Sequence, residues 1–394
     1  MPDLSASRES VAVMMAGVPL LNAALYHRLR FSVVDTVVYL RVPTPDGRGQ
    51  GRSIAICRDI EMERARRHAA VDEVACPKTF EPAGGLSGDR ETATAQAAAE
   101  CLRRAGVTRV VGDRSLPLIF ADLVRQAGIA VDCDREMGVL ERRTKDAREI
   151  ACIREAQAMT EAAMEFACRM VAHATARADG VLMHDAAPLT AERVRAAIDH
   201  WLIDRGYANP PAIVAGGPPT ADCHWLGYGE LRTGQPVVID IFPRNRDTLY
   251  NGDCTRTVVH GDIPDEVARM HAAVCRAKAA GAAAIRAGVT GEAAYLAAAA
   301  SIRADGYQMG LPPPGSPPSY CAMTHGLGHG VGLDVHEPPL LDMNGPALLA
   351  GDVVSVEPGL YRADLGGVRV EDLVVVTPDG SENLNRLPEG LRWE

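Results

Sequence analysis

Three histidines lie close together towards the end of the sequence, in a stretch rich in glycine. His325, His329 and His336 fall within residues 324–337, where glycine occupies four alternate positions. Histidine is a common metal ligand and the natural proton carrier near neutral pH. Glycine places no side chain between the backbone and an approaching group. The stretch therefore predicts one wall of an active site, with room for metals and substrate against the backbone.

Carboxylates suited to the same site adjoin apolar runs that favour strands, namely Asp240, Asp253, Glu357 and Glu371. Any one of them alone is equally well explained as a surface charge at a strand end. Together, in apolar surroundings, they would repel one another unless cations held them. Oxygen ligands with the single imidazole of His329 suit manganese, cobalt, iron or zinc. Shared carboxylates suit two metals about 3.5–4 Å apart that activate a bridging water.

The elements around these residues are predicted to bring them together. Asp240 and Asp253 lie symmetrically about residues 246–247, so a β-hairpin would place them directly opposite each other on one face. Arg369 and Glu371 are two apart on a predicted strand and share a face. The guanidinium is then expected beside the metals, where it can hold a substrate carboxylate or a metal-binding acid.

The 394 residues fit two domains. Residues 1–140 alternate strand-like and helix-like segments, which predicts an α/β domain with a partly parallel sheet. A charged run over residues 141–146 lacks apolar periodicity and is interpreted as a linker. Residues 141–394 form the second domain, whose first helix is predicted to start at a capping-box pair, Asp146 and Glu149.

Composition excludes several classes of partner. The formal net charge of −10 disfavours nucleic acid and anionic membranes. No uncharged apolar run reaches the roughly 18 residues that a membrane span needs, and residues 1–10 lack a signal-peptide pattern. Ten cysteines include no CxxC pair, so we expect reduced thiols in a cytoplasmic protein.

The order of these residues and their local sequences resemble the pita-bread metallohydrolases, which include prolidase, aminopeptidase P, methionine aminopeptidase and creatinase. The resemblance covers residues 146–394. It is carried by Gly-Asp-Cys-Thr-Arg-Thr, His-Gly-Leu-Gly-His-Gly-Val-Gly-Leu-Asp-Val-His-Glu, Ser-Val-Glu-Pro-Gly-Leu-Tyr and Gly-Gly-Val-Arg-Val-Glu-Asp. The two-domain layout fits the prolidase and creatinase branch. It implies an α/β (α+β) fold with a creatinase-like amino-terminal domain and a pita-bread catalytic domain.

The resemblance also implies the metal ligands. Asp240 would chelate one metal, and Asp253 and Glu371 would bridge both. His329 and Glu357 would complete the other, with Glu357 also near enough to take a proton from the bridging water. Two divalent ions are expected, manganese first, with cobalt, zinc or iron as alternatives. The ligand set is intact, which favours a metal-dependent enzyme over the metal-free, creatinase-type members.

Other residues receive roles from the same resemblance. His224 and His336 would stabilise the tetrahedral intermediate or protonate the leaving amine, while His325 and Arg369 would bind substrate. His224 alone is as readily a packed histidine, and His325 a structural hydrogen-bonding group that shares a face with His329 if that segment is helical. The implied activity is metal-hydroxide attack on the amide before proline in Xaa-Pro dipeptides or peptides. A homodimer is expected, because the branch is commonly dimeric.

Two departures from the family pattern concern the substrate. Phe242 and Pro243 follow the first aspartate, and Asp240 and Asp253 are thirteen positions apart, two more than usual in the family. The amino-terminal domain carries a basic stretch at His27, Arg28 and Arg30, which would form either a solvated face or a contact for an anionic substrate. These features leave an alternative on the same scaffold. That alternative is a small-molecule amidohydrolase of the ectoine-hydrolase kind, or a lyase acting on a sulfonium compatible solute.

Overall fold

The computed structural model describes residues 11–44 and 51–394. By internal contacts the chain divides into two compact units, residues 1–142 and 143–394. Within the described part, no helix combines the length and the hydropathy that crossing a bilayer requires.

The first unit is built on one mixed six-stranded sheet in the order β4-β3-β2-β1-β5-β6. The β1–β5, β5–β6 and β3–β4 pairs are parallel and the other two are antiparallel, which confirms the predicted partly parallel sheet. The elements are β1 (Val11–Gly17), α1 (Ala23–Leu29), β2 (Val37–Val42), β3 (Arg52–Ile56), α2 (Met62–His68), β4 (Glu73–Ala75), α3 (Arg90–Arg104), β5 (Arg109–Asp113), α4 (Leu118–Gln126), β6 (Ala130–Asp134) and α5 (Leu140–Arg143), with short 3₁₀ turns at Asp59–Glu61 and Pro77–Phe80.

Helices cover both faces of this sheet, because the side chains of β1 alternate between two apolar cores. Met14 packs with residues of α3 and α4, whereas Met15 packs with residues of α1 and α2. The basic stretch in α1 has a structural partner, since Arg28 forms a 2.9 Å ion pair with Glu141 and lies over the ring of Tyr39.

The second unit joins two groups of strands, each covered by a pair of long helices. Its elements are α6 (Ala147–Ala172), β7 (Thr175–Ala176), β8 (Leu182–His184), β9 (Ala187–Pro188), α7 (Ala191–Ile203), β10 (Tyr207–Ala208), β11 (Ile213–Gly216), a 3₁₀ turn (Pro218–Ala221), β12 (Pro236–Ile241), β13 (Arg244–Asn245), β14 (Cys254–Val259), α8 (Asp265–Ala284), α9 (Gly291–Ala304), β15 (Gln308–Met309), β16 (Cys321–Met323), β17 (Gly328–Gly330), β18 (Glu337–Leu341), β19 (Val353–Val356), β20 (Gly359–Arg362), β21 (Gly366–Arg369), β22 (Asp372–Val376) and β23 (Ser381–Asn383).

Two apolar cores hold this unit together. The first packs α6 and α7 against β11, β12 and β14, and the second packs α8 and α9 against strands of the β15-β16-β20-β21 and β18-β17-β19-β22-β23 sheets. The capping box that opens α6 is present as predicted, with Asp146 accepting from the Glu149 N–H and Glu149 accepting from the Asp146 N–H.

The charged run interpreted as a linker is partly buried. Arg143 forms a two-pronged ion pair with Asp352, at 2.6 and 3.0 Å. The Lys145 ammonium lies 2.5 Å from the Glu337 carboxylate, and both side chains are buried. Each cation forms an ion pair with a buried carboxylate far along the chain, so residues 143 and 145 belong to the interior of the second unit. Apolar periodicity could not detect this, because the buried groups are charged.

Candidate metal centre

All nine residues singled out in the sequence line one cavity of about 330 Å³ in the second unit. Each lies in or next to a β-strand, or in the loop after the Pro218–Ala221 turn. They are His224, Asp240 (β12), Asp253 (before β14), His325, His329 (β17), His336 (before β18), Glu357 (after β19), Arg369 (β21) and Glu371 (before β22). A larger cavity of about 760 Å³ beside α6 and α7 contains none of them.

The hairpin register differs from the prediction by two residues. β12 and β14 pair antiparallel, but Asp240 lies opposite Thr255 rather than opposite Asp253. A shift of two residues keeps every side chain on its face, so Asp253 still points towards the site. Gln157 of α6 fixes its backbone, because the Gln157 amide accepts from the Asp253 N–H and donates to the Asp253 carbonyl, both at 2.8 Å.

The central cluster consists of Asp253, His329 and Glu371, whose potential ligand atoms all lie within 4.8 Å of one another. The His329 Nε2 atom is 3.7 Å from Asp253 Oδ2 and 3.4 Å from Glu357 Oε1. The His329 Nδ1–H donates to the Gly330 carbonyl at 3.1 Å, which leaves the Nε2 lone pair facing the carboxylates. This imidazole therefore presents the nitrogen that a metal needs.

Burial and mutual repulsion raise the pKa of three of the carboxyl groups. Burial is the main cause for Asp253 and Glu371, and the neighbouring carboxylates add to it. Burial also raises the pKa of Glu357, against the opposing effects of His325 and Arg369. Asp240 Oδ1 is buried and accepts no hydrogen bond from the described residues. Four carboxylates around one guanidinium leave negative charge uncompensated, so the residues fit divalent cations.

Arg369 is part of the framework of the site. It donates from Nη2 to Asp240 Oδ2 at 2.7 Å, and from Nη1 to the Tyr361 hydroxyl and the Cys223 carbonyl. The Thr255 hydroxyl accepts from Arg369 Nε at 3.3 Å and donates to Glu371 Oε2 at 2.8 Å. Arg369 thus holds Asp240, a predicted metal ligand, which agrees with one of the two roles considered from the sequence.

Arg256 was not recognised from the sequence, although it lies in the Gly-Asp-Cys-Thr-Arg-Thr motif. Its side chain is 0% exposed. It donates from Nη2 to Asp372 Oδ1 at 2.8 Å and from Nη1 to the Glu371 carbonyl at 2.5 Å. The residue therefore anchors the backbone of Glu371 from behind the site.

The three remaining histidines occupy different environments. His325 donates from Nδ1 to the Gly326 carbonyl and accepts at Nε2 from the Tyr361 hydroxyl, both at 2.8 Å, and burial lowers its pKa. It therefore has no ring nitrogen left for substrate, and the segment between it and His329 is not helical. His224 and His336 are exposed at the cavity. The His336 ring meets that of His329 edge-on, 4.3 Å between centroids.

Two of the alternating glycines, Gly326 and Gly328, line the cavity, and the glycines also have a packing role that was not predicted. A Cβ on Gly328 would lie 2.1 Å from the Ser355 carbonyl oxygen, and one on Gly330 would lie 2.5 Å from the Pro338 carbonyl oxygen. These glycines let β17 fit between β18 and β19. The close packing positions His329 beside the cavity.

Comparison with known proteins finds dipeptidases that are similar in sequence to about half of this chain. A probable dipeptidase PepE from Mycobacterium tuberculosis is 36% identical over 202 residues, half of each chain. An Xaa-Pro dipeptidase from Pyrococcus furiosus is 32% identical over 205 residues, 51% of this chain and 55% of its own. The chain thus spans about half the length of the curated relatives it matches.

Solved structures share the fold over nearly the whole chain. An Xaa-Pro dipeptidase from Bacillus anthracis superposes with a TM-score of 0.78 at 22% identity, covering 97% of this chain and 94% of its own. An X-Pro aminopeptidase from Thermotoga maritima gives 0.77 at 22% identity, covering 97% of both chains. The expected fold, a creatinase-like α/β domain followed by a pita-bread domain, is confirmed. The sequence profile of metallopeptidase family M24 matches residues 151–378, more than half of the chain, which therefore belongs to this family.

Proposed function

We propose that this chain is a metal-dependent peptidase that hydrolyses the amide bond before proline in Xaa-Pro dipeptides or longer peptides. The observation that carries the proposal is the convergence of four carboxylates and one imidazole in a cavity that two exposed histidines also line. The names of the relatives from M. tuberculosis and P. furiosus support a dipeptidase activity.

Two divalent ions, manganese first among the candidates, would be held by Asp240, Asp253, His329, Glu357 and Glu371. Bound there, the ions would supply Lewis-acid activation of a water molecule and of the scissile carbonyl. The carboxylate-rich donor set with one imidazole suits this class of metal.

Glu357 is suited to accept the proton of the attacking water. Its Oε1 atom accepts a hydrogen bond from the Ser355 hydroxyl at 3.3 Å, which orients the carboxylate. The carboxylate also lies 3.4 Å from His329 Nε2, so it is placed within the proposed metal centre where the attacking water would be held.

His336 and His224 are suited to the later steps. Both are exposed at the cavity, where an imidazole can stabilise the negative charge on the attacked carbonyl oxygen or protonate the departing amine. Burial and the neighbouring His329 lower the pKa of His336, which favours a neutral ring at physiological pH. Arg369 keeps Asp240 oriented through their 2.7 Å contact.

The proposal also covers the roles of the two domains, the oligomeric state and the cellular location. Residues 141–394 are assigned as the catalytic domain and residues 1–140 as the creatinase-like domain. The expected assembly is a homodimer acting on small peptides. A cytoplasmic location is proposed because all ten cysteines are free in the structure.

The test is a substrate panel with purified protein in Mn²⁺ or Co²⁺. Ala-Pro, Leu-Pro and a longer Xaa-Pro peptide are assayed beside ectoine and a sulfonium zwitterion. Cleavage of the proline peptides is expected. Turnover of only the compatible solutes would replace the peptidase by the small-molecule alternative.

A paired variant tests the site itself. Asp253→Ala is expected to lose both turnover and stoichiometric metal, measured by elemental analysis. Asp204→Asn, at an exposed position after α7, is the matched control and retains both. Full activity and metal content in Asp253→Ala would contradict the proposed centre.

A further inference from the structure

One wall of the cavity carries groups that the metal centre does not use. In the β17–β18 pair, Leu340 is the direct partner of His329, so their side chains share a face with Cβ atoms about 5 Å apart. Leu340 lines the cavity and remains 55% exposed. Asp342, two residues further along and directly after the end of β18, also lines the cavity, no more than about 7 Å from Leu340 along the chain.

The Asp342 carboxylate can accept a hydrogen bond from a cationic group. Its Oδ1 accepts from the Met343 N–H at 2.7 Å, while Oδ2 lies beside Gly326, 3.0 Å from where a Cβ there would stand. Asp342 forms no ion pair with any residue in 11–44 or 51–394. It is half-buried, so a charge-assisted hydrogen bond there would be less screened than on the open surface.

No side chain of the cavity neutralises this acid. The one guanidinium among the lining residues belongs to Arg369, whose nitrogens are engaged by Asp240, Tyr361, the Cys223 carbonyl and Thr255. The lining contains no lysine. The four metal-ligating carboxylates would be balanced by bound divalent ions, whereas Asp342 would keep its charge in the holoenzyme.

We propose that Leu340 and Asp342 form a subsite for a lysine or arginine side chain on the residue before proline. The methylene stem packs against Leu340, next to the metal-binding His329, and the cationic tip reaches Asp342. This inference rests on the proposed Xaa-Pro activity, in which the residue before proline is the variable one. It specifies the substrate class as peptides with a basic residue at that position.

The experiment compares Lys-Pro with norleucyl-proline, which has an apolar chain of similar length and the same α-amine. With the manganese-loaded enzyme, kcat/KM is expected to be about tenfold higher for Lys-Pro, mainly through KM. In Asp342→Asn the ratio is expected to fall close to one. Asp342→Glu, which keeps the charge, retains a preference for Lys-Pro, and the distant control Asp204→Asn retains the original ratio.

Two outcomes overturn the inference. The first is a ratio near one in the unsubstituted enzyme. The second is an unchanged ratio in Asp342→Asn; if it comes with an equal loss for both substrates, it would assign Asp342 to the shared α-amine. Reduced-amide analogues of the two dipeptides, which cannot be hydrolysed, measure the same ratio by calorimetric binding. Their preference decides the subsite even if neither dipeptide is cleaved, a result that would refute only the proposed peptidase activity.

Discussion

Adding one methyl group at Gly328 tests whether close strand packing positions His329, the proposed metal ligand. The Cβ of Gly328→Ala would lie 2.1 Å from the Ser355 carbonyl oxygen, whereas ordinary van der Waals contact begins at 3.4 Å. The Ser355 carbonyl belongs to the backbone, so it cannot rotate away as a flexible side chain can. Strands β17 and β19 must therefore separate by about 1.3 Å, the difference between these distances.

This separation breaks hydrogen bonds on both sides of Gly328. The His329 N–H donates to the Ser355 hydroxyl at 3.0 Å, and the Glu357 N–H donates to the Leu327 carbonyl at 2.8 Å. Both would stretch beyond bonding range. Two buried hydrogen bonds at about 1 kcal/mol each, with overpacking strain of about 1–3 kcal/mol, predict a loss of about 3–5 kcal/mol in the free energy of unfolding.

Metal binding should weaken at the same time, because His329 Nε2 moves relative to Glu357 and Asp253, now 3.4 and 3.7 Å away. Urea unfolding followed by circular dichroism measures stability, and calorimetric titration with Mn²⁺ measures affinity. Gly380→Ala is the control, because a Cβ there has no neighbour closer than 4.0 Å. A Gly328→Ala protein within about 0.5 kcal/mol of the original, with unchanged affinity, would refute the reasoning.

Two further predictions concern buried charge. Lys145→Met removes the ammonium that faces Glu337 and should lower the free energy of unfolding, measured in urea, by about 3–5 kcal/mol. The double variant Lys145→Met with Glu337→Leu should recover most of this lost stability. Equal losses in the single and double variants would contradict the prediction. The pKa values of Asp253, Glu357 and Glu371 are raised in the folded protein, so without metal these groups stabilise the fold only in their protonated form. Their contribution to the free energy of unfolding is complete below the pKa values of the unfolded chain. It is lost as the pH rises through the raised values of the folded protein. Mn²⁺ binding should therefore release protons at any pH where these groups are still protonated, and the gain in Tm on adding metal should grow with rising pH. Calorimetry in buffers of different ionisation enthalpy measures the release, and none would contradict the prediction.

Most residues of the site could be predicted from the sequence because they stand in or beside strands whose alternation fixes their faces. His224 lies in a loop, and only the family resemblance pointed to it. Asp240 and Asp253 converge despite the wrong register, since an error of two residues preserves parity. The register itself could not be obtained, because the centre of the hairpin lies between Asp247 and Thr248, one position later than the placement assumed from the sequence. The Asn245 side chain accepts hydrogen bonds from the Asp247 and Thr248 N–H groups inside this turn, a contact that spacing alone does not predict.

Polar contacts between strands distant in the chain could not be predicted from the sequence either. Tyr361 reads as an ordinary strand residue, yet it joins His325 to Arg369 through its hydroxyl. Arg256 belongs to a recognised motif, but its contacts with residues 371 and 372 depend on strands more than 100 positions away. Such partners follow from the pairing of strands rather than from any local pattern.

The buried cations at the beginning of the second unit limit where the chain can be cut or fused. Helix α6 starts at Ala147 and looks like a natural junction. A fragment beginning there would lack Arg143 and Lys145, the cationic partners of buried Asp352 and Glu337. Removing one partner of a buried ion pair costs about 3–5 kcal/mol. A separately expressed catalytic fragment, or a gene fusion that keeps this unit whole, must therefore begin before Arg143.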